Sequence, residues 1–172
     1  MAEQAIRNGS LNLEPFMCHN ICTLRAEDGV GICDLLRSES VETTSVAFAF
    51  ETGEVWSVDT TLLTYAGDQI PYLESHFTGQ LQKYAQFLSG LGLNPPYHWI
   101  GGVTGVKDRR LVIPPQPGMT RIAGFRAPQC LSDTIIEKGD YDGQQTPASA
   151  LHPLFKAIFE KCGTPRADYF PQ

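Results

Sequence analysis

The sequence predicts an α+β fold: a mostly antiparallel sheet built from hairpins, with two main helices packed on one face. Three observations predict it. Two long stretches repeat apolar residues every three or four positions, the period of a helix with one buried side. Shorter β-branched and aromatic runs alternate with period two, the pattern of a half-buried strand. Gly- and Asp-bearing turns of three or four residues separate several of those runs, so consecutive strands fold back on one another.

In chain order, residues 1–12 read as a frayed polar lead to a single domain spanning 1–172. Phe16–Arg25 is a strand; Glu27-Asp28-Gly29 turns the chain and Val30–Leu36 pairs back. Arg37–Thr44 is a polar connection. Ser45–Phe50 is the clearest strand, with Val46, Phe48 and Phe50 on one side and Ala47 and Ala49 on the other. The small alanine side invites a closely packed second layer. Glu51–Glu54 is a turn, Val55–Asp59 returns, and Thr60–Tyr65 is a strand extension or one helical turn.

The stretch Ile70–Ile113 holds the organising unit. Leu73, Phe77, Leu81, Tyr84, Leu88 and Leu91 form one apolar stripe, while Gln80, Gln82, Lys83, Gln86 and Ser89 fall off it and suit water. Asp68 is placed to cap this helix, and Pro71 is tolerated in a first turn. Gly90 and Gly92 stop it, and Pro95-Pro96 forbids continuation. Tyr97–Thr104, the turn Gly105–Asp108 and Arg109–Ile113 then read as a third hairpin, with Gly101 and Gly102 marking a bulge or a close backbone approach. Leu131–Glu137 is a weak strand and Lys138–Pro147 a surface loop. The second helix carries Leu151, Leu154, Phe155, Ile158, Phe159 and Cys162, with Pro153 in its first turn and Gly163 with Pro165 as its stop.

Composition narrows the function classes. Hydrophobic residues at 42% against 19% charged argue against disorder. A net charge of -6 disfavours a surface devoted to nucleic acid or anionic membrane, because phosphate binding relies on clustered Lys and Arg. No apolar run reaches the length of a membrane span, and MAEQAIRNGSLNLEPF lacks a signal peptide's apolar core. Five cysteines, an odd count, suit reduced thiols and a cytoplasmic location.

No motif supplies a complete catalytic set. Cys18, His19 and Cys22 start like a zinc site, but no second close pair follows, and core cysteines are the better reading. The glycines of GGVTGVKDRR match neither the P-loop nor the dinucleotide pattern. Asp133, Glu137, Asp140 and Asp142 lack calcium-loop spacing. The expectation is therefore no catalytic residue, no metal and no cofactor. What stands out is a basic tip, Lys107, Arg109 and Arg110, extended by Arg121 and Arg126 in one reading. Beside it Tyr97 and Trp99 share a strand face, with His98 opposite. Tyr97, His98, Trp99, Lys107, Arg109 and Arg110 form the candidate ligand-binding set for a protein partner or a small anionic ligand. The alternatives are a nucleic-acid-binding domain, and a small enzyme with a site based on His98 or a cysteine. Self-association is a further expectation.

The stretches FETGEVWSVDTTLL (50–63), PPYHWIGGVTGVKDRRLVIPP (95–115) and LHPLFKAIFEKCGTPR (151–166) resemble an accessory region of bacterial AlbA/Schlafen-type DNA-binding (ATP-binding) proteins. There, too, a helix leads into a glycine-bearing hairpin. The resemblance implies a bacterial cytoplasmic protein of regulation or defence, acting as a binding module, and it carries over no catalytic residue. The chain departs from that pattern in its acidic balance and in Asn94-Pro95-Pro96, which replaces an asparagine-rich turn.

Overall fold

The computed structural model describes residues 13–16, 21–35, 42–115, 118 and 127–170. The fold is mixed α+β, and its strands are mostly antiparallel. They divide among three sheets, and the chain forms two compact units: residues 1–65 with 79–95, and residues 66–78 with 96–172.

The first unit is built on a four-stranded antiparallel sheet in sequence order: β1 (Ile21–Ala26), β2 (Gly29–Leu35), β3 (Thr43–Phe50) and β4 (Val55–Asp59). Both expected hairpins are present. Register pairs Leu24 with Gly31, Gly31 with Phe48, and Phe48 with Trp56, so these residues share one face. The other face presents Val30 and Ile32, Ala47 and Ala49, and Val55. There the helix α2 (Glu74–Gly90) packs: Phe87, almost fully buried, meets Leu13, Ile32, Ala47 and Ala49, with Tyr84, Leu88 and Leu91 around it. The alanines matter because their small side chains let a bulky helix approach. A Schellman arrangement ends α2 as the glycines suggest: Leu93 N–H donates to Leu88 C=O at 3.0 Å, Gly92 N–H to Ser89 C=O at 2.9 Å, and Gly92 has φ 85°. Between β4 and α2 lie the short helix α1 (Thr61–Tyr65), which is the one-turn reading of that stretch, and β5 (Gln69–Ile70).

Two expectations about α2 need correction. It starts at Glu74, not near Ile70, because Gln69–Ile70 is spent on a strand pairing. Gln80 is buried rather than solvated, and its Oε1 has no hydrogen-bond partner among the described residues.

The second unit corrects the third hairpin. Strand β6 (Tyr97–Thr104) has the expected limits, but it does not pair with the segment that follows. It pairs antiparallel with β8 (Thr134–Tyr141), Tyr97 opposite Tyr141 and Thr104 opposite Thr134. That strand also takes in the first half of the expected loop 138–147. The segment after β6 contributes only β7 (Arg110–Leu111), which lies parallel to β5. Gly139 makes room within the pairing: Trp99 stands opposite it, and a Cβ there would sit 2.7 Å from Trp99 Cζ2.

The helices α3 (Pro147–Ala150) and α4 (His152–Lys161) close the unit. Thr146 caps α3 by accepting from Ser149 N–H at 3.1 Å. All six residues of the predicted α4 stripe are buried: Leu151, Leu154, Phe155, Ile158, Phe159 and Cys162. This helix packs against β8, and Leu154 lies under Gly101. Gly163, at φ 71°, gives the second Schellman stop, with Thr164 N–H donating to Phe159 C=O at 3.1 Å.

Candidate functional site

Alternation along β6 splits the predicted site residues. Tyr97 and Trp99 face the α4 side, where Tyr97 stacks on Tyr141 with centroids 6.5 Å apart and Trp99 is buried over Gly139. Trp99 is therefore core, its Nε1 without a hydrogen-bond partner among the described residues, while Tyr97 is half-buried. His98 points the other way, its side chain 85% exposed and its Nδ1 against Asp140 Oδ1. A small crevice in this unit, lined by residues including Pro71, Leu111 and Phe159 and not by His98, has room for about one water.

The basic tip is a built turn. Gly105 and Asp108 both take positive φ, at 71° and 65°. Val106 is fully buried and anchors the bend, which Asp108 N–H to Cys130 C=O (2.9 Å) ties to the segment before β8. Arg109 is half-buried and tied to the backbone, its Nη1 donating to Gly67 C=O at 2.8 Å. Lys107 and Arg110 remain exposed. So the structure keeps Lys107 and Arg110 at the surface, commits Arg109 to the backbone, and sets Trp99 apart in the core. Arg121 and Arg126 lie outside the described residues, as do Cys18 and His19 of the rejected zinc reading. Among the described residues, no group of three or more His, Cys, Asp or Glu is arranged to hold a metal.

One buried polar group was not foreseen. Arg166, after α4, makes a two-pronged ion pair with Glu74: Nε to Oε1 at 2.8 Å and Nη2 to Oε2 at 2.7 Å. The two side chains are 5% and 7% exposed, and the guanidinium lies against the Phe155 and Phe170 rings. Tyr72 Oη donates to Glu74 Oε2 at 3.4 Å, and burial, then the Glu74 charge, pushes that phenol up from its ordinary pKa. Both charges are satisfied internally, so the cluster reads as a structural clasp.

The feature with the most to offer a partner is the outer face of the four-stranded sheet, opposite α2. On it stand Leu24 from β1, Val46, Phe48 and Phe50 from β3, and Trp56 and Val58 from β4. Trp56 is 64% exposed and Val58 57%, while the others are half-buried. The aromatics form a continuous group: Phe48 to Phe50 at 4.7 Å and Phe50 to Trp56 at 5.6 Å, the latter edge-on. Gly29 and Gly31 make the floor, since a Cβ on either would fall within 2.6 Å of the Phe48 ring. The glycines thus let Phe48 lie flat across β2. The sequence signal was available in the Val46/Phe48/Phe50 alternation, together with the alanine side that invited the second layer now seen as α2.

No protein-family model matches the chain, and neither a curated protein nor a solved structure matches it. Among the described residues no helix is long and apolar enough to cross a membrane.

Proposed function

We propose that this chain is a non-enzymatic recognition module for a protein partner, which docks on the outer face of the four-stranded sheet. The observation that carries the reading is the Phe48–Phe50–Trp56 group, left open to solvent with Val58 beside it while the opposite face is filled by α2. Contiguous exposed apolar patches are costly in water and mark interaction sites. Aromatics held by sheet geometry lose little entropy on binding and are favoured interface anchors. The resemblance to an accessory region of bacterial regulatory or defence proteins suits the same role. The predicted Tyr97–Arg110 set supports it less, because Trp99 is core and Arg109 is tied to Gly67.

A photoreactive residue at position 58 tests the proposal in the native cell. The expected result is one defined protein adduct, lost on Trp56→Lys and kept on Lys107→Glu/Arg110→Glu. Adducts undiminished by Trp56→Lys, or abolished only by the Lys107/Arg110 pair, refute it.

A further inference from the structure

Resting on that docking reading, we infer that the partner presents a cationic amphipathic segment, its apolar side on Phe48, Phe50 and Trp56 and its Lys and Arg side chains at the turn end of the sheet. Size supplies the first argument. Three strand spacings of about 4.8 Å and five residues of about 3.3 Å give the face roughly 250 Å² in plan. A standard interface takes about 800 Å² from each partner. A partner seated here therefore must also contact the rim, and the rim decides its chemistry.

That rim is acidic. Glu27 and Asp28 form the β1–β2 turn; Glu51 and Glu54 flank the β3–β4 turn. Glu51 N–H donates to Asp28 C=O at 2.8 Å, so the two turns stand side by side at one end of the sheet. All four side chains are exposed, and among the described residues no ion pair occupies any of them. Arg25 pairs in register with Val30 and so belongs to the opposite face. The chain as a whole carries -6. A nucleic acid, an anionic bilayer or a second copy would each bring negative charge to this rim, whereas a cationic segment relieves it. A helix of about 16 residues, roughly 24 Å long, spans the sheet along its strands and extends over the turns.

The test uses the full chain and three labelled synthetic peptides with one Leu/Phe face and a polar face of Lys, Glu or Ser, read by fluorescence anisotropy. In about 50 mM salt the Lys peptide should bind about tenfold or more tighter than the Glu peptide. In about 500 mM salt, where the Debye length is about 4 Å, that preference should shrink severalfold. Glu51→Lys/Glu54→Lys brings the four-residue rim to no net charge and should erase the difference between the two peptides, and Trp56→Lys should abolish binding of both. Val58→Lys replaces Trp56→Lys if the latter lowers the melting temperature. Equal binding of Lys and Glu peptides, both lost with Trp56→Lys, overturns the cationic partner but leaves the docking face standing. Lys-peptide binding that survives Trp56→Lys and Val58→Lys overturns the face itself. No Lys-peptide binding at about 1 mM, or a dimer in sedimentation that Trp56→Lys dissolves, overturns the inference.

Discussion

Replacing Arg166 by Met should be among the most damaging single changes in the second unit, and the geometry says by how much. Glu74 and Arg166 are 7% and 5% exposed, and two short hydrogen bonds join them. Methionine keeps most of the apolar contact with Phe155 and Phe170 but leaves the Glu74 carboxylate buried beside a thioether. Removing one partner of a buried pair costs about 3–5 kcal/mol. The Lys83–Glu14 pair, with side chains 43% and 38% exposed, makes the contrast: Lys83→Met should cost about 0–1 kcal/mol.

The assay is urea unfolding of a Trp56→Phe background, in which buried Trp99 is the one tryptophan left of two and reports the second unit. With a slope of about 1–2 kcal/mol/M, a 3–5 kcal/mol loss moves the midpoint by roughly 1.5–5 M. The double change Glu74→Met/Arg166→Met removes both charges together and should return to within about 2 kcal/mol of the parent, or exceed it. A double variant as unstable as Arg166→Met would refute the clasp, since the damage would then come from lost packing. A single variant costing under about 1 kcal/mol would also refute it, because the pair would have to be solvated.

Four further outcomes follow from other contacts. Burial pushes the Tyr84 hydroxyl, which donates to Glu14 C=O at 3.2 Å, up to about 12. Its contribution is complete below the unfolded value near 10 and lost as pH rises through 12, up to about 2–3 kcal/mol, and Tyr84→Phe should flatten that alkaline slope. Phe87→Ala empties the space between α2 and the alanine face and should cost about 3–5 kcal/mol by urea unfolding. Gly139→Ala drives a methyl into the Trp99 ring and should cost about 1–3 kcal/mol while shifting Trp99 emission. Burial, then the neighbouring Cys130, pushes the Cys162 thiol up to about 12. At pH 8 roughly one Cys162 in ten thousand is then thiolate, and mass spectrometry should find it unalkylated in the native protein but modified once unfolded.

What the sequence revealed followed the range of the interaction involved. The α4 stripe was legible in full because six apolar positions at helical spacing have one way to be buried, and Pro153 and Gly163 marked the limits locally. The α2 stripe named Tyr84, Leu88 and Leu91 but missed Phe87, the residue at the centre of its contact with the sheet, and its start was misplaced: Pro71 fits a first turn, and nothing nearby announces that Ile70 pairs with Leu111. The same blindness produced the third hairpin. VTGVKDRRLV has the glycine, the polar turn and the apolar return, but the true partner of β6 is Thr134–Tyr141, whose first half reads as a weak strand and whose second half, KGDY, reads as loop. The pairing of that segment with β6 rests on partners distant in the chain, and the room Gly139 leaves for Trp99 shows only once that register is known. Glu74 and Gln80 escaped because a polar residue on a helix reads as solvated until its distant neighbour is known.

The same reasoning bears on the docking face. Along β3 small and large side chains alternate, and a helix that brings Phe87 needs the small side: Ala47 and Ala49 leave the depth a phenyl ring fills. Once α2 is committed there, Phe48 and Phe50 are forced outward by the two-residue period of the strand. A chain under no other demand would put Thr or Lys at those outward positions, and at Trp56 and Val58 beside them, since the outer side of a two-layer unit is ordinarily wet. Instead Gly29 and Gly31 are placed where a Cβ would clash with the Phe48 ring, a cost in backbone entropy accepted to hold an aromatic flat on the surface. That expense makes sense when the aromatic surface is later covered, which is why the face, rather than the basic turn at Lys107–Arg110, is the part of the molecule to test for a partner.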